Sequence, residues 1–339
     1  MQKSIPTSVL AMFAAVALSA CGGDGGDSTA PPPPPPPPTS QAAITGSNQD
    51  SVAHASVIAG LSISNVQSAS SGGGTLATAS SAMGRLNALF ASGGARRLVA
   101  SAMAPSARPA AVTTDTQPCA FAGTVTSAFD DKDNNGVLSV GDVITVTFAQ
   151  CSDVSGSSIN GAMTITTTSV TSDTQFAATV AVSHLTAVEG SLTASLDGAM
   201  ALTEVDSATQ SQTTLTVAAS GLTAAITSST YSDTITYGQG FAVDETDDSV
   251  QASSTATISG TISAASLGGS VTLATVTPIV AFFDDDFASS GQLAVTGANA
   301  SKLLMTILDA TQVREQLDAN GDGVYEGDTT VAWTSLVPS

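Results

Sequence analysis

The chain reads as mainly β, an antiparallel meander or sandwich, with a short Ala-rich helical region on its N-terminal side. Three observations predict this class. From Phe121 onward apolar residues alternate with Thr, Ser or Ala in short runs, the period of a strand with one buried face. Gly, Asp and Ser punctuate those runs at turn-like positions. Residues 41 to 110, by contrast, are rich in Ala and Ser and show spacing closer to helical.

The N-terminus carries Lys3 and then an apolar run through Val9, Leu10, Met12, Phe13, Val16 and Leu18. This is the layout of a secretory signal, assigned to residues 1 to 20, and it is too short to remain as a membrane span. The run ends in Leu18-Ser19-Ala20-Cys21, which resembles the lipobox of bacterial lipoproteins. That resemblance implies cleavage before Cys21, acylation of Cys21, and attachment to a membrane through the acyl chains, each buried CH₂ contributing ~0.8 kcal/mol. Gly22 after the cysteine, in place of Asp, implies sorting to the outer membrane of a Gram-negative cell, facing periplasm or cell surface. Residues 21 to 40 then form a tether. Its glycines are flexible, and Pro31 to Pro38 predict a stiff polyproline segment of ~25 Å at ~3.1 Å per residue.

Within residues 41 to 110, "NQDSVAHASVIAGL" places Val52, Ala55, Val57 and Ile58 at helical spacing, with Ser47 or Asn48 as N-cap. "SAMGRLNALF" and "RRLVASAM" are further helical stretches. Residues 111 to 339 are expected to form an acidic β-rich domain. Its strands are read in "GTVTSAF", "DVITVTF", "GAMTITTTSV", "FAATVAVSHL", "GSLTASL", "GAMALTEV", "TTLTVAAS", "SSTATIS", "GSVTLATVTPIV" and "GQLAVTG". Glycine opens many of these runs at irregular intervals, which fits a meander better than a solenoid with a fixed repeat. A transmembrane barrel would also alternate, but aromatic residues are 4% of the chain, too few for the girdles such barrels carry.

The formal net charge is −20, and beyond residue 110 the basic residues are Lys132, Lys302 and Arg314 alone. Such a surface argues against nucleic acid as a partner. It suits either a soluble exported surface kept apart by repulsion or the binding of cations. With Cys21 acylated, Cys119 and Cys151 remain, an even pair that reads as one disulfide in an oxidising compartment. If the runs on either side of residue 136 form a hairpin, Phe121 and Val125 share a face with Phe148, Val146 and Ile144. The two cysteines then point to opposite faces unless a bulge intervenes.

The hairpin's tip, "DKDNNGVLSVGD", is the segment richest in chemistry. Asp131, Asp133, Asn135, the Val137 carbonyl, Ser139 and Asp142 occupy the ligand steps of a calcium loop, with Gly136 at the sharp turn and apolar Leu138 after position 7. The segment resembles an EF-hand loop. Two departures stand out: the last ligand is Asp142 where the family has Glu, and the flanks read as strands, not helices. The competing reading is an Asn135-Gly136 type I′ turn, which would force several acids into strand positions. A second, weaker copy, "DANGDGVYEGD", offers Asp318, Asn320, Asp322, the Val324 carbonyl and Glu326, with Asp328 one residue short of the closing position. The clusters Asp244-Glu245-Asp247-Asp248 and Asp284-Asp285-Asp286 lack ligand spacing and are expected to be solvated loops.

No catalytic constellation emerges. His54 and His184 are the only histidines; the first is expected to be structural, and the second a packed or half-exposed strand residue. There is no zinc spacing, nucleophile elbow or phosphate-cradling loop. Taken together the chain resembles exported Gram-negative lipoproteins that carry calcium-type loops, a resemblance that brings no activity with it. It implies a non-catalytic, calcium-stabilised lipoprotein of the outer membrane with a structural or interaction role. Two alternatives stay open: a carrier holding an apolar ligand in a concave sheet, and a carboxylate-dependent enzyme.

Overall fold

The computed structural model describes residues 40–61, 112–152, 155–172, 174–283 and 285–337. The expected signal segment, Cys21, the expected tether up to residue 39 and the two later stretches expected to be helical lie outside the described residues.

Among the described residues, one helix, α1 (Gln49–Leu61), precedes fifteen strands. The first five are β1 (Val112–Pro118), β2 (Ala122–Asp130), β3 (Val143–Ser152), β4 (Ser157–Ser172) and β5 (Gln175–Glu189). Then come β6 (Leu192–Asp206), β7 (Gln210–Thr227), β8 (Ser232–Tyr237), β9 (Ala242–Asp248) and β10 (Ser253–Ala264). The series closes with β11 (Gly269–Phe282), β12 (Ser290–Thr296), β13 (Lys302–Asp309), β14 (Gln312–Asp318), β15 (Gly327–Ala332) and a short helix α2 (Trp333–Leu336). All fifteen strands belong to one antiparallel sheet whose order follows the chain. Of the two expected forms, the meander is the one observed. β8 and β9 behave as one interrupted strand: β9 pairs with the first half of β7 and β8 with the second, and both pair with β10.

The glycines that the alternation seemed to place at strand starts do something different. Gly161 lies inside β4 and Gly198 inside β6, at φ +113° and +129°. A Cβ on Gly161 would stand 2.3 Å from the His184 carbonyl oxygen, and one on Gly198 would stand 2.4 Å from that of Gly221. Register shifts sit beside both glycines. These are bulge positions, where a strand bends and its neighbour's backbone comes too close for any side chain. "GSLTASL" and "GAMALTEV" are therefore one continuous strand, β6. The same irregularity overturns the expectation for His184. At φ +48°, between Val182 and Leu185, it turns outward with its side chain 85% exposed, and Leu185 takes the buried place.

Strands β1, β8, β9, β13, β14 and β15 were not read as strands in the sequence. β9 consists largely of acids and β14 mixes charged and apolar residues, so composition argues against both. Asp244, Glu245, Asp247 and Asp248 are not a solvated loop: they lie in β9, and Glu245 is 3% exposed. Its neighbours on both sides supply the ladder partners that outweigh propensity.

α1 lies against the inner face of the sheet. Val52, Ala53, Ala55, Val57, Ile58 and Ala59 are all buried in the same core as the strand residues. A helix apolar nearly all round can persist only inside a core, and its alanines allow a close approach. The buried Tyr237 hydroxyl donates to the Ala59 carbonyl at 3.1 Å, and Gln49 Nε2 donates to Glu315 Oε2 at 2.9 Å. Upstream, the Ile44 amide donates to Ser301 Oγ at 2.9 Å and the Ala42 amide to the Ser270 carbonyl at 2.9 Å. These bonds fasten the chain's entry beside the β10–β11 and β12–β13 connections.

Candidate metal centres

The hairpin of β2 and β3 holds the first loop. Its register pairs Val125 with Phe148, Ser127 with Val146 and Phe129 with Ile144, as the alternation requires. The register breaks between Ala122 and Thr124, where Gly123 and Gln150 both have positive φ. That bulge resolves the conflict over the cysteines. It brings Cys119 and Cys151 into a disulfide with Cα atoms 5.5 Å apart. Phe121, beyond the bulge, leaves the shared face and is 63% exposed.

At the tip, Asp131, Asp133 and Asp142 each present an oxygen, and these oxygens all lie within 4.8 Å of one another. Asp131 and Asp142 are buried, at 2% and 0% exposure. Backbone amides make this possible. Asp131 accepts from Gly136 N at 2.7 Å and Asn135 N at 3.2 Å. Asp142 accepts from Lys132 N at 2.9 Å on one oxygen and from Ser139 N at 2.7 Å on the other. Ser139 Oγ reaches both Asp133 and Asp142 at 3.0 Å. Asn135 contributes differently from the expectation for a ligand: its Oδ1 accepts the Val137 amide at 2.7 Å and its Nδ2 donates to Asp133 at 2.8 Å. The Lys132 ammonium pairs with Asp130, away from the cluster. Burial raises the Asp131 carboxyl, but the Gly136 amide, Asp133 and the Asn135 and Asn134 amides together outweigh it. The carboxyl sits below its ordinary range and is ionised at neutral pH.

The second loop joins β14 to β15 and repeats this geometry. In both loops residues three and five places after the first Asp have positive φ: Asn134 and Gly136, then Gly321 and Gly323. Asp318, 3% exposed, accepts from Gly323 N at 2.9 Å and Gly321 N at 2.7 Å. Asp322 Oδ1 accepts the Val324 amide at 2.8 Å, as Asn135 does for Val137. The closing acid is Glu326. It accepts the Ala319 amide at 3.1 Å, the role Asp142 plays toward Lys132, and it shares a 4.8 Å cluster with Asp318 and Asp322. Asp328 is committed elsewhere, to a two-point ion pair with Arg314 whose Nε–Oδ1 distance is 2.8 Å. That pairing is the main cause of the lowered Asp328 carboxyl. Asn320 stays at the margin, its Nδ2 donating to Asp322 at 3.1 Å and its Oδ1 accepting the Asp322 amide at 2.8 Å. In the strand order of the sheet the β2–β3 and β14–β15 loops lie near opposite edges.

Both donor sets suit a hard divalent cation. Ca²⁺ takes six to eight oxygens. The first loop brings together three carboxylates and the Ser139 hydroxyl; the second brings together three carboxylates of which two are exposed.

Three acids face inward: Glu204 and Glu315, which were not singled out in the sequence, and Glu245, which was expected in a solvated loop, at 1%, 1% and 3% exposure. Glu204 and Glu245 are both register partners of Thr213, from opposite sides. The signal that identifies them is phase. Glu204 continues Met200 and Leu202, Glu245 follows Val243, and Glu315 stands between Val313 and Leu317, each at the period of the buried face. Ser254 Oγ donates to Glu245 at 2.8 Å. Burial raises the Glu315 carboxyl, against a smaller opposing effect of Gln49.

Comparison with protein-family models, with curated proteins and with solved structures gave no match.

Proposed function

We propose that the chain is a non-catalytic, calcium-stabilised lipoprotein, held at the outer membrane through acylated Cys21 and serving a structural or interaction role. The observation that carries this reading is the convergence of Asp131, Asp133 and Asp142 within 4.8 Å, two of them buried, while Lys132 turns away to Asp130. Three carboxylates so close repel one another, and a divalent ion in their midst turns that repulsion into attraction. The 318–326 loop is a second, weaker site, since its Asp322 and Glu326 are exposed and more easily satisfied by water. Affinity is expected in the sub-millimolar to millimolar range of extracellular modules.

The test is calorimetric titration of Ca²⁺ into chelator-treated protein, beside an Asp131→Ala/Asp133→Ala variant. Heat that is lost in the variant, together with a calcium-dependent rise in melting temperature of the parent, supports the reading. Absence of heat and of stabilisation at several millimolar calcium overturns it.

A further inference from the structure

α1 carries one half-buried polar ring, and that ring lacks a hydrogen-bond partner at one of its nitrogens. His54 Nδ1 is buried and has no hydrogen-bond partner. The ring stacks on Tyr231, centroids 5.8 Å apart and planes inclined by 23°. Tyr231 is turned to another task, its hydroxyl donating to Asp233 Oδ2 at 3.4 Å. Asp233, 7% exposed, also receives the Ser266 hydroxyl and the Thr234 amide. Asp233 is therefore committed to other donors.

We propose that His54 is an acid-sensitive latch on α1: the neutral ring seats the helix against the sheet, and a proton on Nδ1 releases it. Protonation puts an N–H and a positive charge at a buried atom that makes no hydrogen bond, a cost the Leu336 carbonyl beside the ring offsets only in part. The charged groups around it do little to offset this. On α1 itself there is Asp50, in the first turn. β8 contributes Asp233, already satisfied. β10 has no charged residue, β13 has Lys302 and Asp309 at its two ends, and α2 has none. On β14, Glu315 is held by Gln49.

The direction of the linkage follows from burial. Burial holds the His54 pKa below the ordinary imidazole value, and the Asp50 charge and the Leu336 carbonyl oppose it to a smaller extent. A histidine whose folded pKa is lowered binds its proton more readily in the open state, so stability falls as pH drops below the ordinary value of ~6.5. Glu315 has the opposite sign. Its raised carboxyl makes the closed state more stable as pH falls, so it cannot imitate the effect.

The experiment is amide hydrogen exchange of residues 49–61 in the full chain between about pH 7.5 and 5, corrected for intrinsic rates, in the parent and in His54→Phe. Phenylalanine keeps the stack on Tyr231 and cannot titrate. In the parent, opening of α1 should rise about tenfold per pH unit below the ordinary imidazole value, down to the ring's own pKa, while β5 and β6 stay protected. In His54→Phe that rise should vanish. Equal pH dependence in both proteins, or none in the parent, overturns the proposal. Should His54→Phe fail to fold, NMR titration of the parent's ring decides: a folded-state pKa at or above ~6.5 overturns the latch, and a lower one supports it.

Discussion

Replacing Cys119 and Cys151 together by alanine isolates the contribution of the disulfide to the hairpin that carries the first metal loop. The two residues are 32 apart in sequence, and closing a loop of that length removes unfolded-chain entropy worth about 3.5 to 4 kcal/mol. The native hairpin itself does not depend on the bond. β2 and β3 are paired from Thr124–Ala149 to Asp130–Val143 without it, so the loss should be felt in the unfolded state. For a domain of this size about 2–4 °C of melting temperature accompanies each kcal/mol, a fall of ~7–16 °C. The assay is urea unfolding and thermal melting of the parent and the double variant at fixed calcium, then again in chelator. The disulfide sits at the open end of the hairpin and the acidic loop at its tip, roughly 30 Å away along a nine-residue strand. The two contributions should therefore add, and the variant should lose the same free energy in both conditions, within about 0.5 kcal/mol. A loss below about 1 kcal/mol would refute the chain-entropy reasoning. A loss present only in chelator would show instead that metal and disulfide restrain the same motion.

Two further outcomes are expected. Glu326→Gln should abolish calcium binding at the 318–326 loop, whereas Asp328→Asn should leave it unchanged and remove only the exposed Arg314 pair; calorimetry of both in an Asp131→Ala/Asp133→Ala background separates them. Gly161→Ala should destabilise the sheet by at least about 1–3 kcal/mol through its positive φ, with more from the clash at the His184 carbonyl, while Gly190→Ala, whose Cβ position meets nothing within 4 Å, should cost about 1–2 kcal/mol; urea midpoints of the two variants test the difference.

Much of the fold was legible because period-two alternation is a local property. A strand such as "DVITVTF" declares its buried face through Ile144, Val146 and Phe148 alone, and no partner is needed to see it. The first loop was legible for a similar reason: ligand spacing and a turn glycine are written into twelve consecutive residues. β9 was not legible, because Asp244, Glu245, Asp247 and Asp248 are poor strand formers that pair only once β7 and β10 stand on either side. Glu326 was not recognised as a closing acid because position counting assumes one loop length. The observed loop closes after fewer residues, and Arg314, on another strand, claims the carboxylate of Asp328.

By itself the sequence determined the antiparallel class, the phase of most strands, and the two places where carboxylates converge, since each depends on neighbours along the chain. The tertiary structure decided the rest: that Gly161 and Gly198 bend strands and do not end them, that a bulge at Gly123 and Gln150 reunites two cysteines the plain register would separate, and that α1 packs on the core with one nitrogen of its histidine buried and without a hydrogen bond. Each of these depends on what the adjoining strand or helix places opposite a residue, and no local pattern of side chains encodes that.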